Sequence, residues 1–517
     1  MASRFEPAID AVDQAIRHST HFREWLRSRR WCGDSIGMRA EVAVKDRAVL
    51  VETGTEALVL FLAVVKEPER QTPIHLPLAL SAARTEGAVE VAAGPERVFV
   101  SEAERREAYA RFLADGFERQ ERLPTMAGDS LHFLGEKLGG FRSMAPPVGD
   151  SSNLLARFAT ARFDVLFKSY KLLDVHNREP DILERLGRKQ FPHAPRFLGE
   201  LSLGTGPDRL VLGVATQHVD APDLFAWLAD GWRAELGAGA DRTPGDFERD
   251  GLDVAGAVGE ATAALHEALV DRHPGPWQAE VFRPEDATAA RRGAITNLGE
   301  ALRRLAVLAK GPEKGAADAA ARARRFLFDN RGAIEETLRG LDANVGTAKC
   351  VTHGDLPLAQ VLRRASDGAL LFVDFEGEPE RSPGQRSVKL PPLRDVATMG
   401  RSFVYMKHYA WRDFVRGDAT AATRMLERDG LSGPELAVVR RLSAWEDAAV
   451  ERLSTRYLAR SSLYREIAPE EAVRAIRGWM MEKALYEFRY ELKFRPENIF
   501  IPLEGIVSLA GTGPGVG

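Results

Sequence analysis

Three polar side chains have the types and spacing for group-transfer chemistry. Asp355 lies in VTHGDLPLAQVL, Gln360 follows five residues later, and Asp374 ends the apolar run of ALLFVDFEGEP. Ser366-Asp367-Gly368 marks a turn between the two segments, which places the two carboxylates at the two ends of a small predicted hairpin. A lone Gly-Asp or Asp-Gly pair is ordinary turn chemistry. An aspartate, an amide five residues on and a second aspartate at a strand end form a rarer set, and that set suits phosphoryl transfer. One carboxylate orients the acceptor hydroxyl and takes its proton, while hard oxygen ligands hold Mg²⁺ against the nucleotide phosphates. Asp355 fits the first role, Gln360 and Asp374 the second.

A second constellation falls on the long helical pattern EEAVRAIRGWMMEKALYEFRYELKF. Lys483, Tyr486, Glu487, Tyr490 and Glu491 recur three and four residues apart and share one face. Aromatic planes beside carboxylates suit a sugar, whose C–H faces stack on rings while its hydroxyls donate to acids. The same spacing also allows an amphipathic helix with internal ion pairs, Lys483 to Glu487 and Glu491 to Arg495.

The elements that must hold these groups change character along the chain. Residues 42–100 carry short Val- and Leu-rich runs, including AEVAVKDRAVLVETG and ALVLFLAVVKE, which predict strands of an antiparallel sheet, and a helix is expected over 102–116. A second strand-rich stretch runs from His132 to Leu212, interrupted by the helical EPDILERLGRK. Beyond Val219 the pattern is helical almost throughout. The expected class is α+β: an N-terminal β-rich cap over 1–100, a small mixed lobe over 101–219 and a large α-helical lobe over 220–517. A formal charge of −4 gives no electrostatic reason to expect nucleic acid or an anionic membrane as partner. Two cysteines without metal-ligand spacing fit a reducing compartment. The longest apolar stretch, Ala57 to Val65, is about half of the ~20 residues a membrane helix needs. A soluble, cytoplasmic protein is expected.

HGDLPLAQ together with VDFEGEP resembles the catalytic loop and metal-binding segment of the maltokinases, relatives of the aminoglycoside phosphotransferases and of protein kinases. PLRDVATMGRSFVY, MEKALYEFRYELKFRPENIFIPLEGI and, near the start, FREWLRSRRWCGD are similar to further segments of that family, so the likeness runs from about Phe22 to Ile506. The resemblance implies a two-lobed kinase-like fold with an added cap, ATP and Mg²⁺ as cofactors, and transfer to maltose to give maltose 1-phosphate. It implies that Lys168, at the end of DVLFK, binds the ATP phosphates. Glu184 is its expected carboxylate partner, with Glu179 the second candidate. Ser151, Ser152 and Asn153 stand where a phosphate-covering loop belongs, and the backbone from Thr216 to Val219, with Gln217, where adenine pairs. Asp395 takes the place of a structural anchor beneath the catalytic loop. Tyr486, Glu487, Tyr490 and Glu491 are the expected sugar-binding residues, and Gln360 and Asp374 the metal ligands.

The loop departs from the family pattern at Pro357, where His is usual, and at Ala359, where Gly is usual. Both changes bear on the acceptor. Two other readings stand beside maltose: a kinase of another sugar or an amino sugar such as glucosamine, and an idle kinase-shaped partner of a trehalose synthase or another glucan enzyme. A monomer or a dimer is expected. His266, alone among Ala and Leu in EATAALHEALV, is read as a packed core residue.

Overall fold

The computed structural model describes residues 5–32, 37, 40–67, 70–146, 153–174, 176–207, 209–237, 245–378, 381, 383–418, 421–427 and 430–511. The chain divides into two compact units, one of residues 1–188 with 195–219, the other of 189–194 with 220–517.

The amino-terminal unit opens with helices α1 (Glu6–His18) and α2 (Thr20–Arg27), joined by Ser19, whose hydroxyl accepts from the Phe22 N–H and caps the second. Strands β1 (Glu41–Glu52), β2 (Glu56–Glu67), β3 (Arg70–Ser81), β4 (Val89–Ala93) and β5 (Glu96–Glu102) form an antiparallel sheet in the order β1-β2-β3-β5-β4. The apolar run Ala57–Val65 is the buried interior of β2. Ile9, Val12, Ile16, Phe22 and Trp25 of the two helices pack with Val59, Phe61, Leu76 and Val100 of this sheet into one core. Each such side chain contributes about 1.5–3 kcal/mol by leaving water.

The expected helix over 102–116 is displaced: β5 runs through Glu102, a 3₁₀ turn covers Ala103–Arg105, and α3 spans Glu107–Arg119. Strands β6 (Arg122–Pro124), β7 (Ser130–Gly135), β8 (Phe141–Met144), β9 (Leu154–Thr160), β10 (Asp164–Ser169), β11 (Phe197–Leu203) and β12 (Leu210–Gln217) build a second antiparallel sheet, ordered β6-β7-β11-β12-β10-β9-β8, with α4 (Glu179–Arg188) entering between β10 and β11 in sequence.

The other unit is helical: α5 (Leu224–Gly237), α6 (Asp246–Ala268), α7 (Pro284–Leu308), α8 (Lys314–Asp329), α9 (Arg331–Leu338), α10 (Pro383–Arg386), α11 (Leu393–Phe414), α12 (Ala421–Glu427), α13 (Gly433–Arg460), α14 (Pro469–Phe494) and α15 (Phe500–Ala510). A short pair β13 (Glu280–Val281) and β14 (Ala348–Lys349) and the hairpin β15 (Val361–Arg363) with β16 (Leu370–Phe372) are its strands. Helix α11 is buried on almost every side and packs on α5, α13 and α14. Gly340 and Gly478 let α14 approach the turn after α9: a Cβ on Gly478 would lie 2.8 Å from the Leu341 nitrogen. Among the described residues, no helix is long and apolar enough to cross a membrane.

Candidate active site

The predicted hairpin forms, Val361 pairing with Phe372 and Arg363 with Leu370. Asp355 and Asp374 flank it. Upstream of Asp355 the loop is fixed from beneath by α11. Asp395 is fully buried and accepts the His353 N–H at 2.8 Å and the Gly354 N–H at 3.0 Å, one on each carboxylate oxygen. Gly354 turns with φ +85°, a conformation that costs a glycine little. Arg394, next along α11, donates to the Gly354 carbonyl at 3.2 Å. Downstream, Ser402 Oγ accepts from the Leu358 N–H at 3.0 Å. Pro357 sits in extended backbone (φ −84°, ψ 172°) as the residue before the 3₁₀ turn Leu358–Gln360. It accepts the Gln360 N–H at 3.0 Å, and its own missing donor breaks no helical bond there. The loop therefore closes with proline in it.

Burial raises the proton affinity of Asp395, but the hydrogen bond and charge of His266, with His353, outweigh that and hold the carboxyl below the usual aspartate value. His266 Nε2 lies 3.1 Å from Asp395 and its Nδ1 2.9 Å from the Tyr457 hydroxyl. It is the buried histidine expected, and it supports the anchor.

Asp355 Oδ1 receives Lys483 Nζ at 3.0 Å, and the same ammonium donates to Glu378 at 2.5 Å. Lys483 therefore reaches across to the Asp355 loop rather than forming the intrahelical pair with Glu487 that spacing allowed. Burial opposes its charge, yet Asp355, Glu378 and Glu487 together raise its pKa above the ordinary lysine value. Glu378 is fully buried; the surrounding Arg394, Lys483 and Arg381 more than offset that burial and keep it ionised. Sequence reading missed Glu378, Arg394 and Arg401. For Arg394 and Arg401 the signal was present as cations on α11, and for Glu378 as the second glutamate of VDFEGEP.

Gln360 Nε2 donates to Asp374 Oδ2 at 2.8 Å, and Asp374 holds a left-handed backbone with φ +67°. A non-glycine residue in that region is uncommon, and aspartate is one of those that adopt it most readily. Gln360 spends its nitrogen on Asp374, so its amide oxygen stays turned to other use beside a carboxylate. These hard oxygen donors fit Mg²⁺.

Beside Asp355 opens a cavity of about 350 Å³, with Tyr405, Tyr486, Glu487, Tyr490 and Glu491 among its walls. The four residues expected on α14 to bind sugar thus come together with Asp355. Tyr486 and Tyr490 stack with ring centroids 6.4 Å apart. Glu487 is bound twice by the buried Arg401, at 2.8 and 2.9 Å. Glu491 accepts from the Tyr405 hydroxyl at 3.0 Å and from Arg495 at 2.7 Å, the second being the intrahelical pair that spacing allowed. Burial pushes both glutamates up in pKa, and the partner cations pull them only part of the way back.

In the amino-terminal unit, Lys168 stands near the end of β10 and donates to Glu179 Oε2 at 2.8 Å. The expectation of Glu184 is corrected: Glu184 is half exposed and pairs with Arg188 at 2.8 Å on its own helix. Glu179 is the first residue of α4, and five further residues rotate a side chain about 140° away around the helix. Asn153 is buried and its Oδ1 accepts from the Lys171 N–H at 3.3 Å. Ser151 and Ser152 lie outside the described residues. Gln217 is exposed at the end of β12, with its N–H given to the Arg196 carbonyl at 2.9 Å; Val219 follows in irregular, half-buried chain.

No family model matches the chain. A glucosamine kinase from Streptacidiphilus jiangxiensis is 29% identical over 220 residues, which span 42% of this chain and 44% of that relative. A crystal structure of a glucosamine kinase (crystal form A) superposes with a TM-score of 0.58 at 20% identity, covering 98% of this chain and 99% of the other. A glucosamine kinase in complex with glucosamine, ADP and inorganic phosphate gives 0.56 at 20% identity, over 94% and 98%. At that identity the likeness establishes the fold: the chain has the α+β, kinase-like fold of these enzymes.

Proposed function

We propose that this chain is an ATP-dependent kinase of a neutral sugar, with maltose the leading acceptor and maltose 1-phosphate the product. The observation that carries the choice is the charge balance of the cavity. Each of its carboxylates already has a cation: Asp355 has Lys483, Glu487 has Arg401 and Glu491 has Arg495. A neutral polyol can stack on Tyr486 and Tyr490 and bond to these carboxyl groups without disturbing any pair. An ammonium would add an uncompensated charge.

In this reading Asp355 orients the acceptor hydroxyl and takes its proton as the hydroxyl oxygen bonds to the terminal phosphorus. The bridging oxygen then leaves with ADP. Lys483 holds the Asp355 carboxylate in one rotamer, and Asp395 and Arg394 fix the backbone that carries it. Gln360 and Asp374 would hold Mg²⁺, which when bound neutralises phosphate charge. In the amino-terminal unit Lys168, steadied by Glu179, offers its ammonium to a phosphate.

Glucosamine is the second reading, favoured by the relative from Streptacidiphilus jiangxiensis. ADP release with Mg·ATP, measured over maltose, trehalose, glucose, glucosamine and an aminoglycoside with Asp355→Ala as control, separates the two. Turnover on maltose that the variant loses supports the proposal. Preference for glucosamine overturns the acceptor and leaves the mechanism. Silence on every sugar together with no ATP binding supports a non-catalytic partner of a glucan or trehalose enzyme.

A further inference from the structure

Strand β3 belongs to the cap, yet two thirds of one of its edges is left over by β5. Along one side it pairs with β2 from Glu67↔Arg70 to Glu56↔Ser81, while on the other β5 covers only Leu78 to Ser81. The remaining stretch is taken by the chain that follows β10. His75 N–H donates to the Lys171 carbonyl at 3.0 Å, Leu173 N–H donates to the Pro73 carbonyl at 2.9 Å, and Ile74 bridges Leu172. The segment that leaves Lys168 thus becomes an added strand of the cap sheet within three residues.

Side chains tighten this junction. His75 is 1% exposed and its Nδ1 lies 3.0 Å from the Tyr170 carbonyl, which can only accept, so Nδ1 carries the proton. Tyr170 N–H donates in turn to the Leu212 carbonyl at 2.9 Å. Its hydroxyl donates at 2.7 Å to Glu179 Oε2, the same oxygen that receives Lys168 Nζ. On the other side Glu104 Oε1 accepts from the Ser169 hydroxyl at 2.9 Å and from Lys171 Nζ at 2.6 Å, both fully buried. Main chain and side chain on both flanks of Tyr170 are therefore fixed by the cap or by the turn that follows it.

We infer that the cap is part of the nucleotide-binding apparatus, with His75 and Tyr170 as positioning residues that fix the Glu179–Lys168 pair. This rests on Lys168 being the phosphate-binding lysine of the reading above. The reasoning is geometric. A lysine ammonium at the end of a four-carbon stem reaches a phosphate reproducibly only if its carboxylate partner is itself held. Glu179 is held by Tyr170, and Tyr170 by His75. A cap that only covered apolar surface would not need the buried bond from His75 to the Tyr170 carbonyl.

The test uses the full-length chain with equilibrium binding of Mg·ATP and steady-state kinetics. Tyr170→Phe removes one hydroxyl and keeps the ring. His75→Leu removes the donor, and His75→Asn puts an amide N–H where Nδ1–H stood. Losing the Tyr170 hydroxyl bond to Glu179, or the His75 bond to the Tyr170 carbonyl, is expected to weaken ATP binding about tenfold in each case. The sugar KM stays within about twofold, and His75→Asn recovers most of the loss. The double variant Tyr170→Phe/His75→Leu is expected to lose no more than about twofold beyond either single one, since both act through one contact. Unchanged ATP affinity in Tyr170→Phe, or fully multiplicative losses in the double variant, would overturn the inference. A wild-type chain that binds no ATP would overturn the nucleotide reading and this inference with it, whereas ATP binding without sugar turnover leaves this inference standing.

Discussion

Replacing Asp395 by asparagine should cost far more than removal of one charge from α11. The carboxylate accepts two backbone N–H groups, from His353 at 2.8 Å and Gly354 at 3.0 Å, one on each oxygen. An asparagine keeps one acceptor and turns an NH₂ toward the other N–H, so one bond is lost and a donor faces a donor. A hydrogen bond to a buried charged group is worth about 1.5–3 kcal/mol, and leaving its partner unsatisfied adds to that. About 3 kcal/mol is therefore expected to fall on the two residues directly before Asp355. Converted at about 1.4 kcal/mol per decade, this lowers kcat about 10²-fold. ATP affinity should move less than kcat, because neither Lys168 nor Glu179 is among the groups that Asp395 holds. The assay is ADP release against saturating sugar, with ATP binding and thermal unfolding measured on the same preparation. A variant that keeps kcat within threefold of wild type while remaining folded would refute the reasoning, since the loop would then be held by something else.

Asp374→Asn should raise the Mg²⁺ concentration for half-maximal turnover by about tenfold, read from a metal titration at fixed ATP. Gly505→Ala should act on Glu487 at a distance: a methyl group at 505 collides with the Arg401 guanidinium, and displacing it leaves a buried glutamate without its cation. An acceptor KM raised at least about tenfold, with ATP affinity unchanged, is the expected result. Arg495→Gln uncovers Glu491 and should shift the kcat/KM ratio toward glucosamine over maltose; no shift in the sugar panel would count against charge balance as the selector. For pH, burial first and Lys171 second lower the His75 pKa from 6.5 to about 3. A histidine depressed on folding contributes stability that is present above its unfolded pKa and lost as pH falls from about 6.5 toward 3. Full loss would be up to about 5 kcal/mol. Acid unfolding followed by tryptophan fluorescence should show this slope, flattened in His75→Asn.

The hairpin and the placing of Asp355 and Asp374 on its two sides were legible because they are contiguous: Asp355, Gln360 and Asp374 fall within twenty residues, and a Ser-Asp-Gly turn announces the reversal between them. The face shared by Tyr486, Glu487, Tyr490 and Glu491 was legible because helical period alone fixes it. What those side chains bond to was not. Lys483 and Glu487 are four residues apart on α14, and an exposed helix would pair them. In a buried helix the carboxylates of other segments compete, and Asp355 and Glu378 take the ammonium while Arg401 takes Glu487. The Glu184 expectation failed for a related reason. Family spacing favoured it, but α4 starts at Glu179, so the first helical residue faces Lys168 and Glu184 points to Arg188. Long-range partners of buried charges are set by packing, which local pattern does not encode.

The packing of charge around the cavity also bears on how such a site selects. Buried ion pairs are weak contributors to stability, because the desolvation of both partners consumes most of their attraction. Arg401, Lys483 and Arg394 are each under 7% exposed and each bound to at least one carboxylate, so stabilising the fold is a poor account of their presence. Their effect is to make Asp355 and Glu487 rigid acceptors of fixed direction. A site built from such acceptors rejects an analogue lacking a hydroxyl more strongly than an apolar pocket could, because the missing donor leaves a buried, oriented polar group unpaired. Deoxy-sugars should therefore lose more in kcat/KM than sugars carrying an extra methyl group, and that ordering follows from the pairing of Asp355 and Glu487 whichever sugar is the natural acceptor.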